Sequence, residues 1–171
     1  MVFLDETSAQ LGLRREYGLA PVGQRLHGEF LRNHGVNRSL LSAMGFDGML
    51  PSFLVDGSAT REVFEYYLEF VLGPQLSRGA ILVLDNYSIH KGGRVPQIAR
   101  GLGVEVLYLP GYSPDLNAIE LAFSKVKNAL KKAAAVTFEA LSVAVKAALE
   151  SVTLSDVRGF FREVGCWRPY L

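Results

Sequence analysis

The chain has little cysteine, little excess charge and no long apolar run, and each shortage closes off a class of protein. The single cysteine, Cys166, forms no internal disulfide and makes no thiolate metal site alone, so any metal must be held by oxygen or imidazole. Charged residues are only 20% of the 171 and the formal net charge is +1. A nucleic-acid partner would therefore have to be met by clustered basic residues or by a part outside this chain. The longest uncharged apolar stretch near the middle, Ala80–Leu84, falls far short of the ~20 residues that span a bilayer, and no basic-then-apolar leader precedes it. The expectation is a soluble, cytoplasmic protein with no membrane partner. What the chain has in quantity is apolar surface, at 49% hydrophobic residues and a mean hydropathy of +0.18, which excludes disorder as the main state. Its length suits one domain at about 100–200 residues each.

No repeat or low-complexity tract appears; short β-like runs alternate with longer helical ones between Gly, Pro, Asn and Asp, which is an α/β organisation. Met1–Leu4 is a strand candidate ending in acid, followed by a polar and basic stretch from Arg14 to Arg25 that reads as a loop. Asn37–Met44 and Met49–Val55 are strands joined by a hairpin across Gly45-Phe46-Asp47-Gly48. Thr60–Leu72 has helical spacing and is expected to stop at Gly73-Pro74. Ala80–Leu84 and Val104–Leu109 read as buried strands. Helices are expected over Arg94–Leu102, Ala118–Ala134, Thr137–Ser151 and Leu154–Val164. Three meandering strands followed by two βα crossovers predict a mixed five-stranded sheet with helices on its faces.

In such a sheet chemistry sits at strand ends and helix starts. Three carboxylates qualify: Asp5 at the end of the first strand, Asp85 at the end of the fourth, and Glu120 in the first turn of the strongest helix. The first and fourth strands should be adjacent and parallel, with Asp5 beside Asp85. Like charges that close are costly unless a cation neutralises them, and an all-oxygen cluster suits Mg²⁺ or Mn²⁺. Each acid also has a structural reading. Asp85-Asn86 fits turn chemistry, and Asn117 with Glu120 fits a reciprocal capping box, which spacing alone favours for Glu120.

The wording around these acids is more specific than their spacing. Leu84-Asp85-Asn86-Tyr87-Ser88-Ile89-His90-Lys91 and the twelve residues Leu109-Pro110-Gly111-Tyr112-Ser113-Pro114-Asp115-Leu116-Asn117-Ala118-Ile119-Glu120 resemble the second and third catalytic blocks of insertion-sequence 630 and Tc1/mariner transposases, and Val2–Thr7 resembles the first. Thirty-four residues, 86–119, lie between Asp85 and Glu120, the separation typical of the DDE motif in this group. The similarity runs from about residue 1 to residue 132, with Ala118 in place of the usual proline and Phe123 in place of tryptophan. The resemblance implies an RNase H-like fold in which Asp5, Asp85 and Glu120 hold two divalent ions, Mg²⁺ or Mn²⁺, and DNA is cleaved and joined by in-line displacement. No organic cofactor is implied, and the DNA would be that of a bacterial nucleoid. Family members carry a helix-turn-helix domain before the first aspartate, whereas four residues precede Asp5 here. The expectation is a single catalytic domain, with a core of about 1–134 and a helical tail of about 135–171, lacking that N-terminal domain. An RNase H-like nuclease without transposition and a non-catalytic DNA-binding or oligomerising remnant are the alternatives; three intact acids argue against the remnant.

Weaker candidates surround the triad. Ser124, Lys127 and Lys131 continue the stripe of Glu120 along its helix, while Ile119, Phe123, Val126 and Leu130 form the core stripe. Lys127, Lys131, Lys91 and the loop residues Arg14, Arg15 and Arg25 are candidates for DNA phosphates, or for plain solvation. Asn86, His90, Asp115 and Asn117 are expected to shape the loops or support the acids by hydrogen bonds. For Tyr87 and Tyr112 a buried ring is favoured over stacking on a splayed base. The tail aromatics Phe160, Phe161, Trp167 and Tyr170 leave two outcomes open, a homodimer or a tail packed on its own sheet.

Overall fold

Strand β1 (Val2–Ser8) pairs antiparallel with β2 (Ser39–Gly45) along its whole length, from Val2 opposite Gly45 to Ser8 opposite Ser39. This is a computed structural model, and it describes residues 1–15, 17–25, 27 and 37–166. A two-residue turn, Phe46-Asp47, leads into β3 (Gly48–Met49), where Gly48 takes φ +132°, a setting open to glycine. Pro51 has no amide hydrogen for the ladder, so the returning strand breaks there. Pairing with β2 resumes in β4 (Phe53–Val55), and the single strand expected over 49–55 is thus two. Strand β5 (Ile81–Leu84) lies parallel to β1, and β6 (Glu105–Tyr108) lies parallel to β5. Among the described residues the sheet is six-stranded rather than five-stranded, in the order β3-β2-β1-β5-β6 with β4 also on β2.

The first strand runs four residues past its expected end at Leu4. Its partner β2 continues the ladder, so polar Glu6 and Thr7 stay paired opposite Leu41 and Leu40. Pairing with β5 is confined to Val2 and Phe3, so one flank of β1 opens just before Asp5.

Among the described residues, six α-helices cover the sheet. Helix α1 (Arg61–Tyr66) begins at Thr60, whose hydroxyl accepts from the Val63 amide at 3.4 Å. It continues through a π-helical segment, Tyr67–Leu72, and a 3₁₀ turn, Gly73–Gln75. The stop expected at Gly73-Pro74 therefore comes later, because Pro74 sits in the first turn of the 3₁₀ segment, where its missing amide hydrogen is harmless. Short α2 (Ser88–Lys91) precedes α3 (Val95–Leu102), which closes on left-handed Gly103. Helices α4 (Ala118–Ala133), α5 (Phe138–Glu150) and α6 (Leu154–Glu163) follow.

Alternation along the strands divides the core in two. Phe3 and Val83 pack with Ile119, Phe123 and Val126 of α4 and Phe161 of α6. Val2, Leu4, Leu82 and Leu84 pack on the other face with Phe64, Tyr67, Leu68 and Val95. The tail packs on its own sheet: Phe161 is fully buried, edge-on to Phe3 with ring centres 5.4 Å apart and 4.2 Å from the Phe46 ring. Helix α6 starts in a capping box of Thr153 and Asp156, and Asp156 also accepts from Lys125 of α4. Phe160 is half-buried, while Trp167 and Tyr170 lie outside the described residues. No helix among the described residues is long and apolar enough to cross a membrane.

If the tail is part of the core, Phe161→Ala should cost about 3 kcal/mol or more by urea denaturation. Val143→Ala, at a side chain 71% exposed on α5, should change stability by less than about 0.5 kcal/mol. Equal effects from the two would contradict this packing.

Candidate active site

The parallel pairing of β1 with β5 sets the geometry. Carrying the register Phe3 opposite Val83 two residues further puts Asp5 level with Asp85. Two residues along β1 keep the same face, so Asp5 projects to the side of Phe3, where α4 lies, while Asp85, just past the end of β5, reaches the same cleft. Glu120 stands in the first turn of α4, and the three carboxylates line one cavity of about 320 Å³. Asp5 is 6% exposed, Asp85 and Glu120 are half-buried.

Asp5 carries the heaviest electrostatic load. Burial and the neighbouring Glu6, with smaller contributions from Asp85 and Glu120, push its carboxyl up to about 7 against the opposing Glu6 amide. Two donors hold it in place: the Glu6 amide on Oδ1 and the Asn117 Nδ2 on Oδ2, both at 2.7 Å. Asn117 is itself buried, and its Oδ1 has no hydrogen-bond partner among the described residues. The capping box expected between Asn117 and Glu120 does not form. The Asn117 side chain makes no cap bond, because its amide is drawn to the buried carboxylate instead.

Glu6 faces the opposite side of β1, and there it meets His90. The imidazole is fully buried, with Nδ1 2.6 Å from Asp85 Oδ1 and Nε2 2.9 Å from Glu6 Oε2. Burial alone would lower its pKa, but the hydrogen bonds and charges of Asp85 and Glu6 outweigh it and raise the ring to about 9. At neutral pH both ring nitrogens are therefore protonated and both donate. Asp85 is correspondingly held below the usual carboxylate range: partial burial raises it, and the bonds from His90 and the Tyr87 amide overcome that. Asp5, Glu6 and His90 also bring one donor atom each within 4.8 Å of the others. Since both nitrogens of His90 are already engaged, its ring ties Asp85 to Glu6 across the sheet. Glu6 is the partner that sequence reasoning missed, because 84 positions separate it from His90 and no local pattern links them.

The remaining candidates spread outward. Asn86 lines the cleft, and Asp115 is exposed in a 3₁₀ turn, Pro114–Leu116. Lys91 is exposed with its ammonium 5.8 Å from the centre of the Tyr108 ring. Arg14, Lys127 and Lys131 are half-buried and Arg15 and Arg25 exposed; none of them lines the cleft. Tyr87 and Tyr112, expected to be buried, are exposed on its rim, because each follows a strand end in a loop that leaves the core. A larger groove of about 730 Å³ between the β3–β4 edge and α5 is lined mainly by apolar side chains such as Leu54, Val145 and Leu149 and gathers no such cluster of acids.

The profile of DDE superfamily endonucleases matches residues 1–142. No curated protein matches the chain by sequence. Among solved structures, the Mos1 mariner paired-end complex with Mn superposes with a TM-score of 0.78 at 20% identity, covering 97% of this chain and 53% of that one. A pre-cleavage Mos1 transpososome gives 0.77 at 17% identity, over 95% and 52%. The Mos1 catalytic domain gives 0.70 at 15% identity, over 95% and 76%. The chain thus spans about half the length of the full transposases it resembles and shares the fold of their catalytic domain, an RNase H-like mixed sheet with flanking helices. With four-fifths of its length inside the family match, the chain belongs to the DDE superfamily of endonucleases.

Proposed function

We propose that this chain is the catalytic domain of a mariner-type transposase, in which Asp5, Asp85 and Glu120 hold two divalent ions, Mg²⁺ or Mn²⁺, where DNA is cut and a 3′ end is joined to a target. One observation above all supports the reading: three carboxylates from three separate elements open on one cleft, and Asp5 is raised to about 7 by burial and the surrounding acids. Such crowding is costly without a cation, and hard oxygen donors are what Mg²⁺ and Mn²⁺ take. The buried, unpartnered Oδ1 of Asn117 fits the same reading, since a hydrated ion beside Asp5 brings a water that can donate to it. Bound there, the ions supply Lewis-acid polarisation of a phosphodiester and neutralise charge on the attacking and leaving oxygens.

The protein's own groups fix the donors. Asn117 and the Glu6 amide hold the Asp5 carboxylate, and His90 holds Asp85. The nucleophile is a water or a DNA 3′-hydroxyl, whose proton passes to solvent as its oxygen bonds to phosphorus. The P–O bond on the opposite side breaks with its electron pair left on the departing oxygen. No residue becomes covalently attached. Phosphates away from the cleft are assigned to the peripheral basic residues Arg14, Arg15, Arg25, Lys91, Lys127 and Lys131. The similar Mos1 structures are paired-end and strand-transfer complexes, and by that likeness DNA is the partner and a pair of chains the acting unit.

The direct test is Mn²⁺-dependent nicking of supercoiled plasmid and joining of an oligonucleotide 3′-hydroxyl end. Asp85→Asn should lower nicking by at least about a hundredfold while leaving the circular dichroism spectrum intact. Nicking without joining would favour the plain nuclease, and an inert wild-type chain the remnant.

Titration gives a second test. The carboxyl of Asp5 and the imidazole of His90 both bind protons more tightly folded than unfolded, so each adds stability at low pH that is lost as pH rises. In EDTA the melting temperature should therefore fall from about pH 4 to 7 through Asp5, and from about pH 6.5 to 9 through His90. Asp5→Asn should remove the first part of that decline. Mn²⁺ should raise the melting temperature more at pH 8 than at pH 6, because at pH 6 it must displace the Asp5 proton. An equal Mn²⁺ effect at both values would count against Asp5 as a ligand.

A further inference from the structure

Beyond β2 the sheet ends, among the described residues, in β3 and β4, which pair with β2 alone. The ladder fixes which peptide groups this edge leaves over. The Leu50 amide donates to the Ala43 carbonyl at 2.8 Å, so Ala43, Leu41 and Ser39 turn their peptide groups toward β3 and β4. Leu40 turns the other way, toward β1, and Leu54 stands opposite it, so the N–H and C=O of Leu54 point away from β2. No described residue bonds to them. Folded chains commonly blunt such an edge with a charge or a covering element, yet β4 is Phe-Leu-Val, without a charge.

Both faces beside this edge are apolar and open. On the α4 side, Leu54 and the α5 residues Val145 and Leu149 line the groove of about 730 Å³. On the other side, Phe53 lies 5.9 Å from Tyr66 between ring centres, and Tyr66 lies 5.2 Å from Phe70. Tyr66 and Phe70 are 51% and 60% exposed. The two cores thus run past β4 on both faces, and the helices leave room for one strand more. That shape selects the occupant. A second copy offering the same edge would bring its own α1 and α5, and the overhangs would collide. A single extended segment has no such flanks: its backbone pairs with Leu54 while alternate side chains enter the groove and cover the rings. The rim adds a charge. Asp47 is exposed there with no ion pair to a described residue, whereas Lys146 faces Glu150 at 4.0 Å.

We propose that the β3–β4 edge is a docking site for an extended segment of a partner polypeptide, added to the sheet as a further strand with apolar side chains on both faces and a lysine or arginine beside Asp47. Main-chain bonds to Leu54 supply register, and the groove and the aromatic rings supply preference for apolar side chains. Strand β2 separates this edge from β1 and its Asp5, so the site is independent of the carboxylate cleft.

The probe is a fluorescein-labelled peptide, Lys-Thr-Val-Ile-Val-Tyr-Val-Thr-Lys, titrated with the full chain and read by fluorescence anisotropy. The wild type should bind it, and the same peptide N-methylated at its three central residues, which has lost the N–H groups of a strand, should not bind. Replacing both exposed rings, Tyr66→Ser with Phe70→Ser, or filling the groove with Ser142→Trp, should hold the melting temperature and weaken binding about tenfold. Asp47→Lys should weaken it about threefold at low salt. Hydrogen exchange followed by NMR should show the Leu54 amide newly protected in the complex. No binding at millimolar peptide, equal binding of the N-methylated peptide, or binding unchanged in the ring and groove variants would overturn the proposal. So would new protection on β6, the sheet's other edge, in place of Leu54. A wild type that sediments as a dimer while Ser142→Trp sediments as a monomer would make the occupant a second copy and overturn it too. Binding unchanged by Asp47→Lys would overturn its charged end.

Discussion

Asp5 is a carboxylate nearly cut off from water and set among Glu6, Asp85 and Glu120, and the donors around it are what make that position tenable in the folded chain. Desolvation and like charge both act against its ionised form. The Glu6 amide and the Asn117 carboxamide act for it, one on each oxygen. The balance leaves a carboxyl that changes charge near neutral pH, in a cleft that also receives Asp85 and Glu120. Perturbed acids of this kind collect at functional sites more than in structural ion pairs, since a purely structural site gains nothing from unrelieved repulsion.

The same strand serves both faces of the sheet. Alternation sends Asp5 toward α4 and Glu6 toward the face of Phe64, where the Phe64 ring lies 4.3 Å from the ring of His90. The protonated imidazole joins Glu6 of β1 to Asp85 just beyond β5, so these two acids are tied by a cation already in the protein. The tie leaves Asp5 outside it. One aspartate is thus neutralised internally and the other is not, which places the unmet charge at Asp5 and on the side of Glu120. The antiparallel ladder with β2 makes this possible, because it keeps β1 straight for four residues after β5 has ended.

Elements with a clear period were legible in the chain: six of the expected helices and buried strands lie within a residue or two of their observed bounds, from Ile81–Leu84 to Leu154–Glu163. Departures came where a long-range partner overrode a local signal. β1 outran its apolar run because β2 supplied a ladder, and the strand through 49–55 split because Pro51 could not. At the site the three acids and their spacing were readable, since residue types and motif wording carry them. Asn117 was misread as a helix cap, because spacing cannot reveal that a buried carboxylate 112 residues away competes for its amide. Glu6 and the outward rings of Tyr87 and Tyr112 were missed for the same reason: period and hydropathy describe an element, not what lies across from it.

The distribution of charge closes the argument. A chain of net charge +1 that concentrates acids in its cleft and leaves its basic residues around the outside repels a phosphate at the centre while attracting it at the edges. On the proposed reading the cleft admits a phosphodiester only when cations have offset Asp5, Asp85 and Glu120. A phosphate so admitted adds its own negative charge to the ions' surroundings. Each therefore strengthens the other's binding by the same factor, as linkage requires. The crowding that destabilises Asp5 in the free protein becomes, in that arrangement, the source of coupling between metal and DNA.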